Sequence, residues 1–200
     1  MKIKNFLKVS MLFAAVSLAS CGSKMKMDDK MDQKEMMMNE KTVMVGGAAM
    51  YPSKNIVENA INSKDHTTLV TAVKAAGLVE TLQGKGPFTV FAPTNAAFDK
   101  LPAGTVATLL KPENKATLQG VLTYHVVAGN ISATDLIENI AKNNGKFSFK
   151  TVNGEMLTAS LKGTNVIITD SKGGESKVTI ADVNQSNGVI HVVDTVLLPS

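Results

Sequence analysis

The sequence predicts an α+β domain in which helices come first and strands follow. Three observations carry this. From Tyr51 to Lys142 apolar residues recur at helical spacing in short runs bounded by Ser, Thr, Asn and Gly. From Lys146 onward the period changes to two, with Asn-Gly and Gly-Gly turns between runs. The last run, residues 189–198, is almost wholly apolar, which places it centrally in a sheet.

The elements follow in order. Ser53 is placed to cap a helix over 54–61, with Ile56, Val57, Ala60 and Ile61 on one face. A second helix starts at His66 or Thr67, carries Leu69, Val70, Val73 and Ala76, and stops at Gly77. His66, beside Asp65, reads as an exposed helix-start residue. Gln83-Gly-Lys-Gly-Pro87 is a turn; it lacks the Ser or Thr and the glycine spacing of a phosphate loop. Phe88 to Ala92 is a strand buried on both faces, ended by Pro93. Thr94 or Asn95 caps a helix over 96–101, and Phe98 points back to the core.

Short helices are expected over 105–110 and 114–122. Tyr124-His-Val-Val127 reads as a strand stopped by Gly129, and Ser132 or Thr134 caps a helix over 135–142. Phe147, Phe149 and Val152 lead into a turn at Asn153-Gly154, and further strands are expected over 156–161, 166–169 and 178–183.

The first fifty residues differ. Lys2, Lys4 and Lys8 precede an apolar run over 11–19 that is too short to span a bilayer. The run enters Leu18-Ala19-Ser20-Cys21, which looks like a bacterial lipobox. The expectation is a lipoprotein signal peptide over 1–20, with Cys21 acylated; two or three acyl chains give stable anchoring. Gly22 in place of Asp favours the outer membrane by the sorting rule of enteric bacteria. Residues 21–50 are read as a lipid-anchored, Met-rich flexible tether, with end-to-end distance about 30 Å as a coil. The folded domain is expected over 51–200. Eight of eleven methionines lie between Met25 and Met50. Thioethers are soft ligands, so Met25, Met27, Met36, Met37 and Met38 are candidates for Cu(I).

Composition excludes several classes. The formal charge is +4, but residues 1–20 hold three lysines and no acid, leaving 18 Lys against 17 Asp plus Glu. That near-neutral balance gives no support to nucleic-acid binding. There is no arginine, and Cys21 is the only cysteine, so no disulfide or thiolate site is available to the domain. No cofactor motif and no Gly-x-Ser-x-Gly or His-Glu-x-x-His motif occurs. The only chemistry that could be assembled is a His125 or His191 base oriented by Asp194 beside Thr94 or Ser186, so no enzymatic activity is expected. His125 and His191 lie within apolar runs and read as hydrogen-bonded core residues. Asp194, between Val193 and Val196, needs partners, either amides near the Thr94-Asn95 turn or a histidine. Thr94, Asn95, His191 and Asp194 are therefore expected to form a structural polar cluster.

Two segments, Thr89-Val-Phe-Ala-Pro-Thr-Asn-Ala-Ala-Phe98 and Asn187-Gly-Val-Ile-His-Val-Val-Asp-Thr-Val-Leu-Leu-Pro199, resemble the two signatures of the fasciclin (FAS1) domain. Leu122-Thr-Tyr-His-Val-Val127 resembles the family's Tyr-His segment, and Ile180-Ala-Asp-Val183 the step before the second signature. The resemblance covers about residues 52–199. It implies a β-sandwich or wedge with several helices packed on it, and a non-enzymatic adhesion or binding module with a matrix, protein or glycan partner. It implies Tyr124 and His125 as candidate adhesion residues. The Asp-Ile segment tied to integrin adhesion in animal members has no counterpart here. The alternative function is a periplasmic lipoprotein that handles a metal or small ligand through the Met-rich tether.

Overall fold

The computed structural model describes residues 41–200. Its first element is a hairpin of β1 (Val43–Val45) and β2 (Ala48–Met50), turned by Gly46 and Gly47, both at positive φ. Val45 and Met50 are each 3% exposed and belong to the main core. The folded body therefore begins eight residues before the expected boundary at Tyr51. Two of the eight tether methionines, Met44 and Met50, belong to it.

Helix α1 (Ile56–Ala60) is capped by Asn55, not Ser53. The Asn55 side chain accepts from the Glu58 amide while Glu58 accepts from the Asn55 amide, a reciprocal capping box. Helix α2 (Thr67–Ala76) ends at Gly77, whose φ of 73° is the left-handed turn that glycine adopts without cost. A five-residue helix α3 (Val79–Gln83), not anticipated, buries Leu82. Strand β3 (Phe88–Pro93) leads into α4 (Asn95–Asp99), capped by Thr94. Helices α5 (Thr105–Leu109) and α6 (Lys115–Tyr124) follow. Tyr124 ends α6 and His125 is its C-cap, so the expected strand over 124–127 shrinks to β4 (Val126–Ala128). The β-prone Tyr-His-Val-Val run was misleading because the Tyr124 ring, fully buried, is held by packing rather than by a ladder. Helix α7 (Ala133–Lys142) is capped by Ser132, again in a capping box, with Asp135.

The remaining strands are β5 (Lys146–Lys150), β6 (Met156–Lys162), β7 (Asn165–Thr169), β8 (Glu175–Gln185) and β9 (Gly188–Val193). With β3 and β4 they form one seven-stranded sheet of order β4-β3-β9-β8-β7-β6-β5. Only β3 and β9 pair parallel in it, residue for residue from Phe88↔Gly188 to Pro93↔Val193. The sheet curls until it nearly closes: the Val152 amide, just past β5, donates to the Val126 carbonyl of β4 at 2.8 Å. Strand β8 makes the curl possible. Its first residues pair with β7 and its later ones with β9, with register shifts around Asp182, which sits at φ 55°.

The period of two sorts side chains into two cores. From β3 and β9, Val90, Ala92, Ile190 and Val192 face the layer of α1, α2, α3 and α6. Phe91 and Val193 face the inside of the curl, with Tyr124, Leu136, Ile140, Phe149, Leu157 and Ile168. Strand β9 is buried at every residue, so its central place is as expected. It stops at Val193 rather than Leu198. The ladder ends where Asp194 turns its carboxylate to the Lys177 amide, at 2.9 Å.

Two glycines test this packing. A Cβ on Gly188 would collide with the Phe88 carbonyl oxygen across the parallel pair. A Cβ on Gly120, inside α6, would meet nothing within 4 Å. Gly188→Ala is expected to destabilise the domain by about 2 kcal/mol or more, and Gly120→Ala to stabilise it by up to about 1 kcal/mol. Urea unfolding of both variants checks the pair, and equal effects would contradict the register.

Candidate functional site

The Tyr124–His125 segment is interior. Tyr124 is 0% exposed; its hydroxyl donates to the Met156 carbonyl at 3.0 Å and accepts from the Ser171 amide at 2.9 Å. Burial raises its phenol above the ordinary range. His125 is 2% exposed. Its Nδ1 donates to the Val121 carbonyl at 2.8 Å, and Nε2 accepts from the Leu197 amide at 3.0 Å. Those partners require the neutral Nδ1–H tautomer. Neither residue offers a surface to a partner. Both fasten segments: Tyr124 holds the loops beside β6 and after β7, and His125 holds the C-terminal tail.

His191 has the same character and the opposite tautomer. Its Nε2 donates to the Ile131 carbonyl at 2.8 Å, while Nδ1 accepts from the Asp182 amide at 3.3 Å. Its ring stacks on Phe91, with centroids 5.6 Å apart. Thr89, on the parallel partner strand, takes the other side of the same residue. Its hydroxyl accepts from the Ile131 amide at 2.8 Å and donates to the Gly129 carbonyl at 2.8 Å. Asp182 then accepts from the Ala133 amide at the start of α7, at 2.7 Å. Residues 129–133 are thus fastened to the sheet at four points.

The expected cluster of Thr94, Asn95, His191 and Asp194 does not form. Thr94 caps its own helix. Asn95 reaches the start of α2, accepting from the Thr68 amide at 3.0 Å and donating to the Lys64 carbonyl at 2.9 Å. Asp194 is only part-buried. Burial alone would raise its carboxyl, but the Lys177 amide, the Thr195 hydroxyl and Lys100 at 3.4 Å hold it below the usual range. It bonds neither His125 nor His191, so the one conceivable base-and-acid pairing is not assembled. Among the described residues no three His, Cys, Asp or Glu side chains gather as a metal site. Cys21 and the soft-ligand candidates Met25, Met27, Met36, Met37 and Met38 lie outside the described residues.

His66, expected at the surface, is 3% exposed. Its Nδ1 lies 2.9 Å from the Ser63 hydroxyl, and its Nε2 has no hydrogen-bond partner.

What remains open is a polar cleft of about 520 Å³ at the N-terminal ends of β3 and β9. Its walls are Asn55, the turn over 83–87, Asn130 and the β8–β9 turn from Gln185 to Gly188. Asn187 makes the floor rigid. Its side chain accepts from the Ile56 amide at 3.0 Å and donates to the Leu82 and Gly84 carbonyls at 2.8 and 3.1 Å. Gly86 closes the floor, since a Cβ there would collide with the Asn187 carbonyl. The side chains of Gln83, Lys85, Asn130 and Ser186 make no hydrogen bond with other described residues. The lining holds amides, a hydroxyl and one ammonium, with no carboxylate and no aromatic ring. Two apolar cavities, about 70 and 30 Å³, lie between the helices and the sheet and are far smaller than an ordinary ligand pocket. The glycine pair of the 83–87 turn and the turn ending at Asn187-Gly188 are each legible in the sequence, but their meeting is not, because a parallel pairing across a hundred residues leaves no local periodic signal.

Burial pushes the His125 pKa down to about 4 from the ordinary 6.5. The neutral ring is the folded form, so its contribution is complete above pH 6.5 and is lost as pH falls toward 4, on the order of 3 kcal/mol in all. His125→Leu, which frees the Leu197 amide, is expected to cost about 2 kcal/mol at pH 7.5. That deficit should shrink by pH 4.5 in urea unfolding; a constant deficit would contradict the neutral-ring assignment.

Comparison with known proteins agrees with this architecture. A family model described as the fasciclin domain matches residues 64–199. Protein sll1483 of Synechocystis is 48% identical over 165 residues, covering 82% of this chain and 84% of that protein. The cell surface glycolipoprotein MPB83 of Mycobacterium bovis is 35% identical over 160 residues, covering 78% of this chain and 64% of that protein. A solved FAS1 domain pair from the insect cell adhesion molecule fasciclin I superposes with a TM-score of 0.65 at 16% identity, over 80% of this chain and 58% of that one. At that identity the superposition speaks for the fold alone. The family match over most of the chain, with the 48% identical relative, makes this protein a member of the fasciclin domain family.

Proposed function

We propose that this chain is a non-enzymatic binding module of the cell envelope whose protein or glycan partner seats in the polar cleft at the β3–β9 ends. The observation that carries this is the contrast between two regions. The Tyr-His segment is sealed inside the fold. The cleft presents four unengaged polar side chains over a floor fixed by Asn187. A fixed floor lowers the cost of ordering the site on binding, and the unengaged side chains leave donors and acceptors for a partner. With one lysine and no acid, the lining suits a neutral or weakly anionic polar surface.

The envelope location rests on the lipobox-like Leu18-Ala19-Ser20-Cys21 and on likeness to a relative named as a cell surface glycolipoprotein. Acylation of Cys21 would hold the domain at the membrane, probing outward through the residues before β1.

The full chain carrying Cys21→Ser should leave the membrane fraction and serve as a soluble probe on a glycan and matrix-protein array. A bound class is expected, and Gln83→Ala with Lys85→Ala and Asn130→Ala should weaken it at least tenfold, about 1.4 kcal/mol, without moving the melting temperature. Binding that survives the triple variant would place the contact elsewhere. A chain that binds nothing on the array would count against the module itself.

A further inference from the structure

His66 is buried where desolvation disfavours its charged form. One ring nitrogen meets the Ser63 hydroxyl; the other, Nε2, is buried without a partner, and the residue lines an apolar cavity of about 30 Å³. The hairpin supplies one wall of that cavity through Val45 and Met50; Ile56, Leu69, Ala92 and Ile190 supply much of the rest. His66 also stands at the N-cap of α2, the positive end of a ten-residue helix. None of the elements facing the ring across the cavity contributes a charged group. On its own turn, Asp65 is the charged group whose field favours protonation, and the Ala92 carbonyl helps without closing to a hydrogen bond; burial outweighs both and holds the ring below 6.5.

The hairpin is attached to the body at this same turn. The Lys64 amide donates to the Gly46 carbonyl at 3.1 Å. Gly46 packs so closely on Ser63 that a Cβ there would collide with the Ser63 hydroxyl, and would come within 2.7 Å of the Asp65 amide. Apart from the Gly46–Lys64 bond, the hairpin is held by apolar packing: Val45 and Met50 lie in the core beside the cavity that His66 lines, and Val43 and Ala48 pack half-buried against it.

We propose that the β1–β2 hairpin is an acid-released latch: protonation of His66 detaches residues 43–50 from the body and leaves the remaining fold intact. Water reaches the imidazolium once Val45 and Met50 lift away, so the charged ring is accommodated only in the open form. His125 and His191 do not share this behaviour, because each is held on both nitrogens within the sheet core. Release turns the eight residues of the hairpin into linker and adds roughly 25 Å of reach to the chain that precedes the body. It also uncovers the apolar wall of the cavity.

Hydrogen exchange of the full chain, read at residues 43–50 and corrected for intrinsic rates, tests this between pH 7.5 and 5.5. Protection of the hairpin is expected to fall below pH 6.5, by up to the tenfold per pH unit that one proton allows, while β3 and β9 amides keep theirs. In His66→Leu, which suits the apolar cavity and cannot titrate, the hairpin should stay protected throughout. Flat protection in the wild type, a fall shared equally by β3 and β9, or an unchanged fall in His66→Leu would each overturn the latch. If His66→Leu does not fold, the wild-type contrast between hairpin and sheet decides alone.

Discussion

The parallel pairing of β3 with β9 is the constraint on which the rest of the fold depends. It joins segments a hundred residues apart and is buried along its length except at Phe88, half-buried at its start. A parallel pair needs a long crossover, and here the crossover contains α4 to α7 and strands β4 to β8. Those elements must be returned to the sheet at defined points. The pair does this with polar side chains of its own. Thr89 and His191, on adjacent strands, take the amide and the carbonyl of the same residue, Ile131. Each group is buried, so either one left unpaired would cost more than the bond contributes.

This view changes what the signature segments mean. Their polar residues are fasteners: Thr94 and Asn95 hold two helix starts, His191 holds the crossover, Asn187 joins α1 to α3, and His125 holds the tail. On the proposed reading, the recognition groups lie outside the segments that identify the family. The cleft follows that rule, since its rigid floor comes from the signature's Asn187 and its unengaged side chains come from neighbouring turns.

Much of the fold was legible because local chemistry agreed with the final packing. Gly77 ends α2, Thr94 caps α4, and the Asn153-Gly154 turn separates β5 from β6, all as the residue types demand. Misreadings arose where tertiary contacts overrode local preference. Val43 to Met50 was hidden in a methionine-rich stretch, although Gly46-Gly47 is a hairpin turn signal that could have exposed it. Tyr124 was read as strand from its neighbours' β propensity. His66 reads as exposed beside Asp65, yet it lines a cavity shared with the hairpin, α1, α2 and the sheet, so tertiary packing makes it interior. Asp194 looked buried because its neighbours are apolar, yet it lies where the ladder ends and the backbone turns outward.

The most direct test of the central claim is a double-mutant cycle on Thr89→Val and His191→Phe, read by urea unfolding at pH 7.5. Both side chains grip Ile131, so once one is removed the other has less to hold. The account predicts a coupling energy of about 1 kcal/mol or more, with the double variant less impaired than the two single losses combined. Strict additivity would contradict it, because the two strands would then be holding the crossover independently.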